Sequence, residues 1–174
     1  MVAALFVRKV NYYSSLGCDC FDFDRDALTW CGGQPGVFHP PCRSWSQLSH
    51  MAKPRPGERE LALWAIEKVR QFGGVVEHPY NSRLWASVGC LSFGVRDQFG
   101  GVLFPVYQSW FGHQAPKKTS LYLVGAPVPD LVPFIESAVA PVRTVESMCR
   151  ASRERTPPAF ARFLVELAQS CQVK

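Results

Sequence analysis

The sequence predicts an α/β protein with a mostly parallel sheet flanked by helices. Three observations lead there. Short apolar runs at Ala3 to Val10, Val37 to His39, Val75 to Glu77 and Ser120 to Val124 have strand character. Amphipathic helical patterns occupy 58–72 and the C-terminal stretch. Strands and helices alternate at spacings that suit parallel βαβ units.

Taken in order, Ala3 to Val10 reads as a strand that runs into the polar, aromatic loop Asn11-Tyr12-Tyr13-Ser14-Ser15. Leu16 to Phe23 alternates with near period two and reads as a second strand. Asp24 to Thr29 reads as a short helix, with acids at the positive end of its dipole. Gly32-Gly33-Gln34-Pro35-Gly36 breaks the chain before the strand Val37 to His39, which Pro40-Pro41 ends. Ser44 to Met51 is a short helix or a loop, and Lys53 to Gly57 is a second breaker. Glu58 to Phe72 is the strongest helix, with Leu61, Leu63, Trp64, Ile66, Val69 and Phe72 as its apolar face and Gly73-Gly74 as its stop. Val75 to Glu77 is a strand that Pro79 terminates, and Ser82 to Ala86 starts another short helix. Gly101 to Trp110 and Ser120 to Val124 are strands, and Pro127 to Pro141 meanders. Residues 143–155 mix arginines and glutamates with few apolar residues and read as a mobile linker inside a single domain spanning 1–174. Pro157 to Val173 is the last helix, with Phe160, Phe163, Leu164, Leu167 and Ala168 on one side and the prolines in its first turn.

Composition narrows the class. The chain has 174 residues, 47% of them hydrophobic, with 12 Phe and 5 Trp, enough for one good core and too much for disorder. The net charge of +5 permits a phosphate-bearing partner without requiring one. Seven cysteines, an odd number, follow an N-terminus without the charge-then-apolar order of a secretory leader, and no stretch approaches the length of a membrane span. The expectation is a cytoplasmic protein with reduced thiols.

Two strand ends carry the chemistry. Val37-Phe38-His39-Pro40-Pro41-Cys42 and Val75-Val76-Glu77-His78-Pro79 each release a polar, proline-fixed segment. In a parallel sheet, functional groups collect at the carboxyl ends of strands. If these strands are neighbours, Cys42 and Glu77 share a crevice, which sets a thiol nucleophile beside a carboxylic acid. The plain alternatives are an inert buried cysteine for Cys42 and a surface acid for Glu77. His39 and His78 stand open between structural hydrogen bonding and acid–base work. No Cys-x2-Cys knuckle is present, and no metal site is expected.

The run Pro40-Pro41-Cys42-Arg43-Ser44-Trp45-Ser46 resembles the catalytic loop of the DNA cytosine-5 methyltransferase family: Pro-Pro-Cys, two residues, an aromatic and a Ser. Further resemblances follow in the right order over roughly 16–165. Glu77-His78-Pro79 stands where that family has Glu-Asn-Val, with Leu84-Trp85 downstream. Phe111-Gly112-His113 leads through Lys117-Lys118 into Leu121 to Gly125, and Thr156-Pro157-Pro158 precedes the final helix. Gly17 to Ala27 resembles the second strand, where Asp22 matches the acid that contacts the cofactor ribose.

The resemblance implies a Rossmann-like, methyltransferase-like fold and S-adenosylmethionine as cofactor. It assigns Cys42 and Glu77 as catalytic, His39, Arg43, Ser46, His78 and Lys118 to the substrate, and Asp22 and Tyr12 to the cofactor. A Cys42 thiolate adds at carbon 6 of cytosine, and Glu77 bonds the ring nitrogen and supplies a proton, which requires a raised carboxyl pKa. A base in duplex DNA has to be flipped out at a cost of roughly a few kcal/mol.

The departures set the alternatives. Asn11 to Ser15 holds no glycine where the family has its Gly-rich turn, so weak or no binding of S-adenosylmethionine is expected. Only about thirty residues separate Val124 from Thr156, so the target-recognition domain is missing. Three readings follow. The chain is a nucleobase-modifying enzyme, a non-catalytic nucleotide or nucleic-acid binder of phage or mobile-element type (one that interferes with host defence included), or a subunit completed by a partner chain.

Overall fold

In a computed structural model, described for residues 1–47, 49–90 and 92–172, the chain forms an α/β fold around one six-stranded mixed sheet. The strands are β1 (Ala3–Leu5), β2 (Asp19–Phe21), β3 (Gly36–Phe38), β4 (Gly74–Pro79), β5 (Val102–Tyr107) and β6 (Lys118–Val124). Their order is β2-β1-β3-β4-β6-β5. The β1–β2, β1–β3 and β3–β4 pairs are parallel, and β6 runs antiparallel to both β4 and β5. Strand β1 therefore has β2 on one side and β3 on the other. The chain leaves β1 toward β2 and leaves β3 toward β4 on the other side, which opens a crevice between β1 and β3 at their carboxyl ends.

Alternation along the strands builds two cores. Ala4, Val37, Val75, Leu121 and Leu123 face α5 (Pro158–Gln169), while Ala3, Leu5, Phe38, Val76 and Tyr122 face α1 (Glu58–Phe72). The bounds of α1 are those the periodicity predicts, but its packed stripe differs. Ala62, Ala65, Ile66 and Val69 are buried, whereas Leu63 is exposed. The two alanines let the helix axis approach the sheet closely, so the larger side chains at 61, 63 and 64 are displaced to its flanks. The final helix buries Phe160, Phe163, Leu164, Leu167 and Ala168 as expected, with Ala161 and Val165 as well. Val173, the expected end of that helix, lies outside the described residues.

Several strands are shorter than the sequence pattern suggests. β1 stops at Leu5 because Phe6 adopts a left-handed φ of 61°, a conformation that costs a bulky residue energy and breaks the ladder. Residues 13–16 form a 3-10 turn, so β2 begins only at Asp19. The expected helix at 24–29 contracts to a 3-10 turn, Ala27–Thr29, whose start Asp26 caps by accepting the Leu28 N–H. Within 44–51 only Arg43–Trp45 forms a 3-10 turn, and Leu48 lies outside the described residues. The strands β3 and β4 approach so closely at Gly36 and Gly74 that a Cβ on Gly74, with φ 117°, would strike the Gly36 backbone. Shorter helices are α2 (Leu84–Ser87), α3 (Val132–Glu136) and α4 (Arg150–Glu154). The last lies inside the stretch read as a linker, and Glu154 pairs with Arg8 at 2.5 Å. Among the described residues no helix is long and apolar enough to cross a membrane.

Candidate functional site at the carboxyl edge

The parallel pairing of β3 with β4 sets Phe38 beside Val76, so His39 and Glu77 follow side by side on the α5 face. Five strand-end segments meet there: Asn11 to Leu16 after β1, Asp22 after β2, His39 to Trp45 after β3, Gln108 after β5, and Lys117 at the entry to antiparallel β6. The adjacency of 37–39 and 75–77 that the sequence implies is present.

Glu77 is the centre of this edge. His39 Nδ1 lies 3.0 Å from its Oε2, Gln108 Nε2 donates to its Oε1 at 3.2 Å, and the Thr119 hydroxyl donates to the same oxygen in a very short bond. The other ring nitrogen of His39, Nε2, lies 2.6 Å from the hydroxyl of buried Tyr13. Burial alone would raise the Glu77 pKa, but the His39 hydrogen bond, the Lys117 charge and the Thr119 hydroxyl outweigh it and hold the carboxyl down at about 2. An ionised carboxylate only accepts, so His39 donates from Nδ1. Burial and then the Glu77 charge push the Tyr13 phenol well up, so it keeps its proton.

The proton-donor role expected of Glu77 requires a raised carboxyl pKa, whereas these partners favour the charged form. The three donors stabilise the charged form, and both oxygens are occupied.

Cys42 is an exposed free thiol at the rim, starting the Arg43–Trp45 turn. Desolvation by the surrounding loop and the Glu77 charge push its pKa above the ordinary thiol value, and Lys117 offsets only part of this. At neutral pH it is a thiol, whereas the expected addition to a ring carbon needs a thiolate. Cys42, Glu77 and Lys117 are electrostatically coupled.

The remaining expected residues divide. Asp22 sits at the end of β2, where its Oδ1 accepts the backbone N–H groups of Asp24 and Arg25, and those bonds, the Arg25 one foremost, lower its pKa. Tyr12 is half-buried, with its hydroxyl 3.4 Å from Arg162 of α5. Arg43 turns away from the crevice: it pairs at 2.8 Å with buried Glu58, which also accepts the Arg55 N–H and so closes the start of α1. Ser46 is half-buried at the end of the same turn. His78 points to the α1 face, fully buried edge-on to Trp85, and neither ring nitrogen closes a hydrogen bond with a described residue. Burial drives its pKa down to about 4, against the opposing pull of Glu77 and the nearby Pro41 carbonyl. Lys118 lies over the Tyr80 ring at 3.5 Å from its centroid.

Sequence reasoning missed Gln108 and Thr119 as partners of Glu77. The signal was available for Thr119, which shares the face of Leu121 and Leu123 by period two, but it needed the antiparallel register that sets 77 opposite 121. Tyr13, read only as part of a polar, aromatic loop, is a buried hydrogen-bond partner of His39.

The turn after β1 decides the fit for S-adenosylmethionine. Two of its amides are already used: Ser14 N–H goes to Asn11 Oδ1, and Ser15 N–H to the Tyr12 carbonyl. The Tyr13 side chain fills the space beside His39, 5.4 Å between ring centroids. Those two backbone donors are therefore not free for the anionic methionine end of the cofactor. Two cavities, of about 190 and 760 Å³, lie elsewhere: one beside Cys90, Asp97 and Tyr122, the other beside Leu63, Arg70 and Phe99.

Comparison with family models, curated proteins and solved structures returns no match for this chain. The functional reading therefore rests on the residues and their geometry.

Proposed function

We propose that this chain is a Rossmann-like, methyltransferase-like protein that binds a pyrimidine nucleotide or nucleic acid at the crevice around Cys42 and does not catalyse methyl transfer. The single observation that carries this reading is the closed hydrogen-bond set of Glu77. A carboxylate held by His39, Gln108 and Thr119, with a pKa near 2, cannot hand a proton to a ring nitrogen. The sheet order supports the fold part of the proposal, because the Pro-Pro-Cys loop and the Glu strand leave neighbouring strands beside the point where the order reverses. The ligand class is supported by Lys117, whose charge reaches both Cys42 and Glu77, and by the net charge of +5. A phosphate on Lys117 would neutralise that cation at the rim, and the Cys42 thiol would contribute a weak, neutral contact.

Calorimetry with dCMP, with S-adenosylmethionine and with both, beside a methyl-transfer assay on DNA, tests the reading. Binding of dCMP that Lys117→Glu weakens, without methyl transfer, is expected. Methyl transfer that disappears in Cys42→Ala overturns it.

One observation favours completion by a partner chain as a second reading. Val132, Ile135, Val139 and Val142 stand exposed along the stretch between β6 and α4. Sedimentation of the purified chain that shows a monomer at all concentrations removes that reading.

A further inference from the structure

We propose that the sheet edge next to the crevice is a stacking site for the bases of a single-stranded nucleic acid, with Phe93 as its exposed platform. This rests on the reading that the crevice itself takes a nucleotide, and it extends the ligand from one nucleotide to a strand.

Tyr80 follows β4 directly, three residues after Glu77, and its N–H reaches the Lys118 carbonyl at 3.5 Å. Phe93 lies parallel to Tyr80, with ring centroids 5.3 Å apart and planes 8° apart. The Lys118 ammonium sits 3.5 Å from the Tyr80 centroid and 5.6 Å from that of Tyr107, its register partner across β5 and β6. Tyr107 in turn meets Trp110 at 5.4 Å. Four aromatic rings thus form a row with one cation among them. Phe93 is 43% exposed, and Tyr80, Tyr107 and Trp110 are half-buried.

Such a row is poor as a core element, because a packed core would cover Phe93. It suits a nucleic-acid strand for two reasons. Every base has a face that stacks on an aromatic ring, and the backbone needs cations spaced along it. Here the cations are the consecutive Lys117 and Lys118. The second stands within the aromatic row on the face of Tyr122, the first is coupled to Glu77 on the opposite face, and the dipeptide bridges the two faces at the carboxyl edge. Lysine among the rings favours a strand over an apolar protein segment, since an ammonium pressed against an apolar partner would lose water without gaining a counter-charge.

The test uses the full chain and two probes. A short fluorescein-labelled single-stranded oligothymidine is followed by anisotropy, and dCMP by calorimetry. Phe93→Ala is expected to weaken oligothymidine binding about ten-fold, the loss of roughly one stacked base, while dCMP binding stays unchanged. Phe93→Tyr, which keeps a ring, is expected to retain wild-type affinity. A thermal melt confirms that both variants fold. If Phe93→Ala binds oligothymidine like the wild type while dCMP still binds, the stacking site is overturned and the crevice reading stands. If the wild type binds neither probe, the crevice reading fails and the stacking site fails with it.

Discussion

Two carboxylates anchor this molecule on opposite faces of the same sheet, and comparing them shows how each face holds a partly buried anion. Asp97, on the α1 face, accepts the Tyr122 hydroxyl at 2.6 Å, Arg70 at 3.4 Å, and the backbone N–H groups of Phe99 and Gly101 at 2.9 Å each. It ties the loop before β5 to the sheet. Gly101 serves this network, because a Cβ there would strike the Tyr122 ring. Burial would raise the Asp97 pKa, but the Tyr122 hydroxyl and the two backbone amides lower it on balance. Glu77, on the α5 face, sits where a catalytic acid belongs. Yet it is held in the same manner, by three side-chain donors, one of them a histidine that continues to Tyr13. A free catalytic acid keeps an oxygen for its substrate. Glu77 has wiring like that of Asp97, and its hydrogen bonds tie β3, β4, β6 and, through His39, the turn after β1 together.

The strongest way to break the comparison is to remove each anchor. Glu77→Ala leaves His39, Thr119 and Gln108 without their acceptor in a buried site and is expected to cost about 3 kcal/mol, read from urea unfolding. Asp97→Ala is expected to cost about 2 kcal/mol, because its amide donors lie nearer to water. A cost below about 1 kcal/mol for Glu77→Ala would show an acid free to act elsewhere.

Acid titration sharpens the same point. Glu77 has a depressed pKa, so its contribution to stability is complete above the ordinary carboxyl range near 4.5 and is lost as pH falls toward about 2. His78 is also depressed, to about 4, but as a base. The unfolded chain takes up its proton from about 6.5 downward, so stability falls between pH 6.5 and 4 and this loss stops growing below 4. Melting temperatures across pH 3 to 8 are expected to show two successive declines. Replacing the ring by His78→Phe is expected to remove the upper one, worth roughly 1–3 kcal/mol, and leave the lower.

Smaller effects follow along the relay. Tyr13→Phe removes the hydroxyl partner of His39 Nε2 and is expected to cost about 1 kcal/mol by the same unfolding measurement. Cys42→Ala, at an exposed rim, is expected to change stability by less than about 0.5 kcal/mol. Alkylation of Cys42 is expected to be slow at neutral pH and to accelerate above the ordinary thiol pKa, since the Glu77 charge opposes the thiolate.

Much of the edge was legible in the sequence, because strand-end chemistry is local. Pro40-Pro41 and Pro79 end their strands by lacking a donor, and that alone delivers Cys42 and Glu77 to one edge once the strands pair. Helix α1 was legible from end to end, because Gly57 and Gly73-Gly74 bracket a periodic run. What periodicity could not give was the depth of packing. Ala62 and Ala65 carry no hydrophobic signal of note, yet they decide which stripe meets the sheet. Nor could it give the fate of charges. The roles assigned to Glu77 and Arg43 depended on partners 31 to 42 residues away in one case and 15 in the other, and only the register reveals them. The short β1 was hidden for another reason: nothing in Ala3 to Val10 announces that Phe6 takes a left-handed turn.

The protonation state of Glu77 tests the account most directly. Carbon-13 NMR of the side-chain carboxyls, with Glu77→Gln to assign the resonance, gives its titration midpoint in the folded chain. The account predicts a carboxyl that stays ionised from pH 8 down to pH 4, with its midpoint near 2. A midpoint above 6 would contradict it, because Glu77 would then carry a proton at neutral pH and regain the acid role.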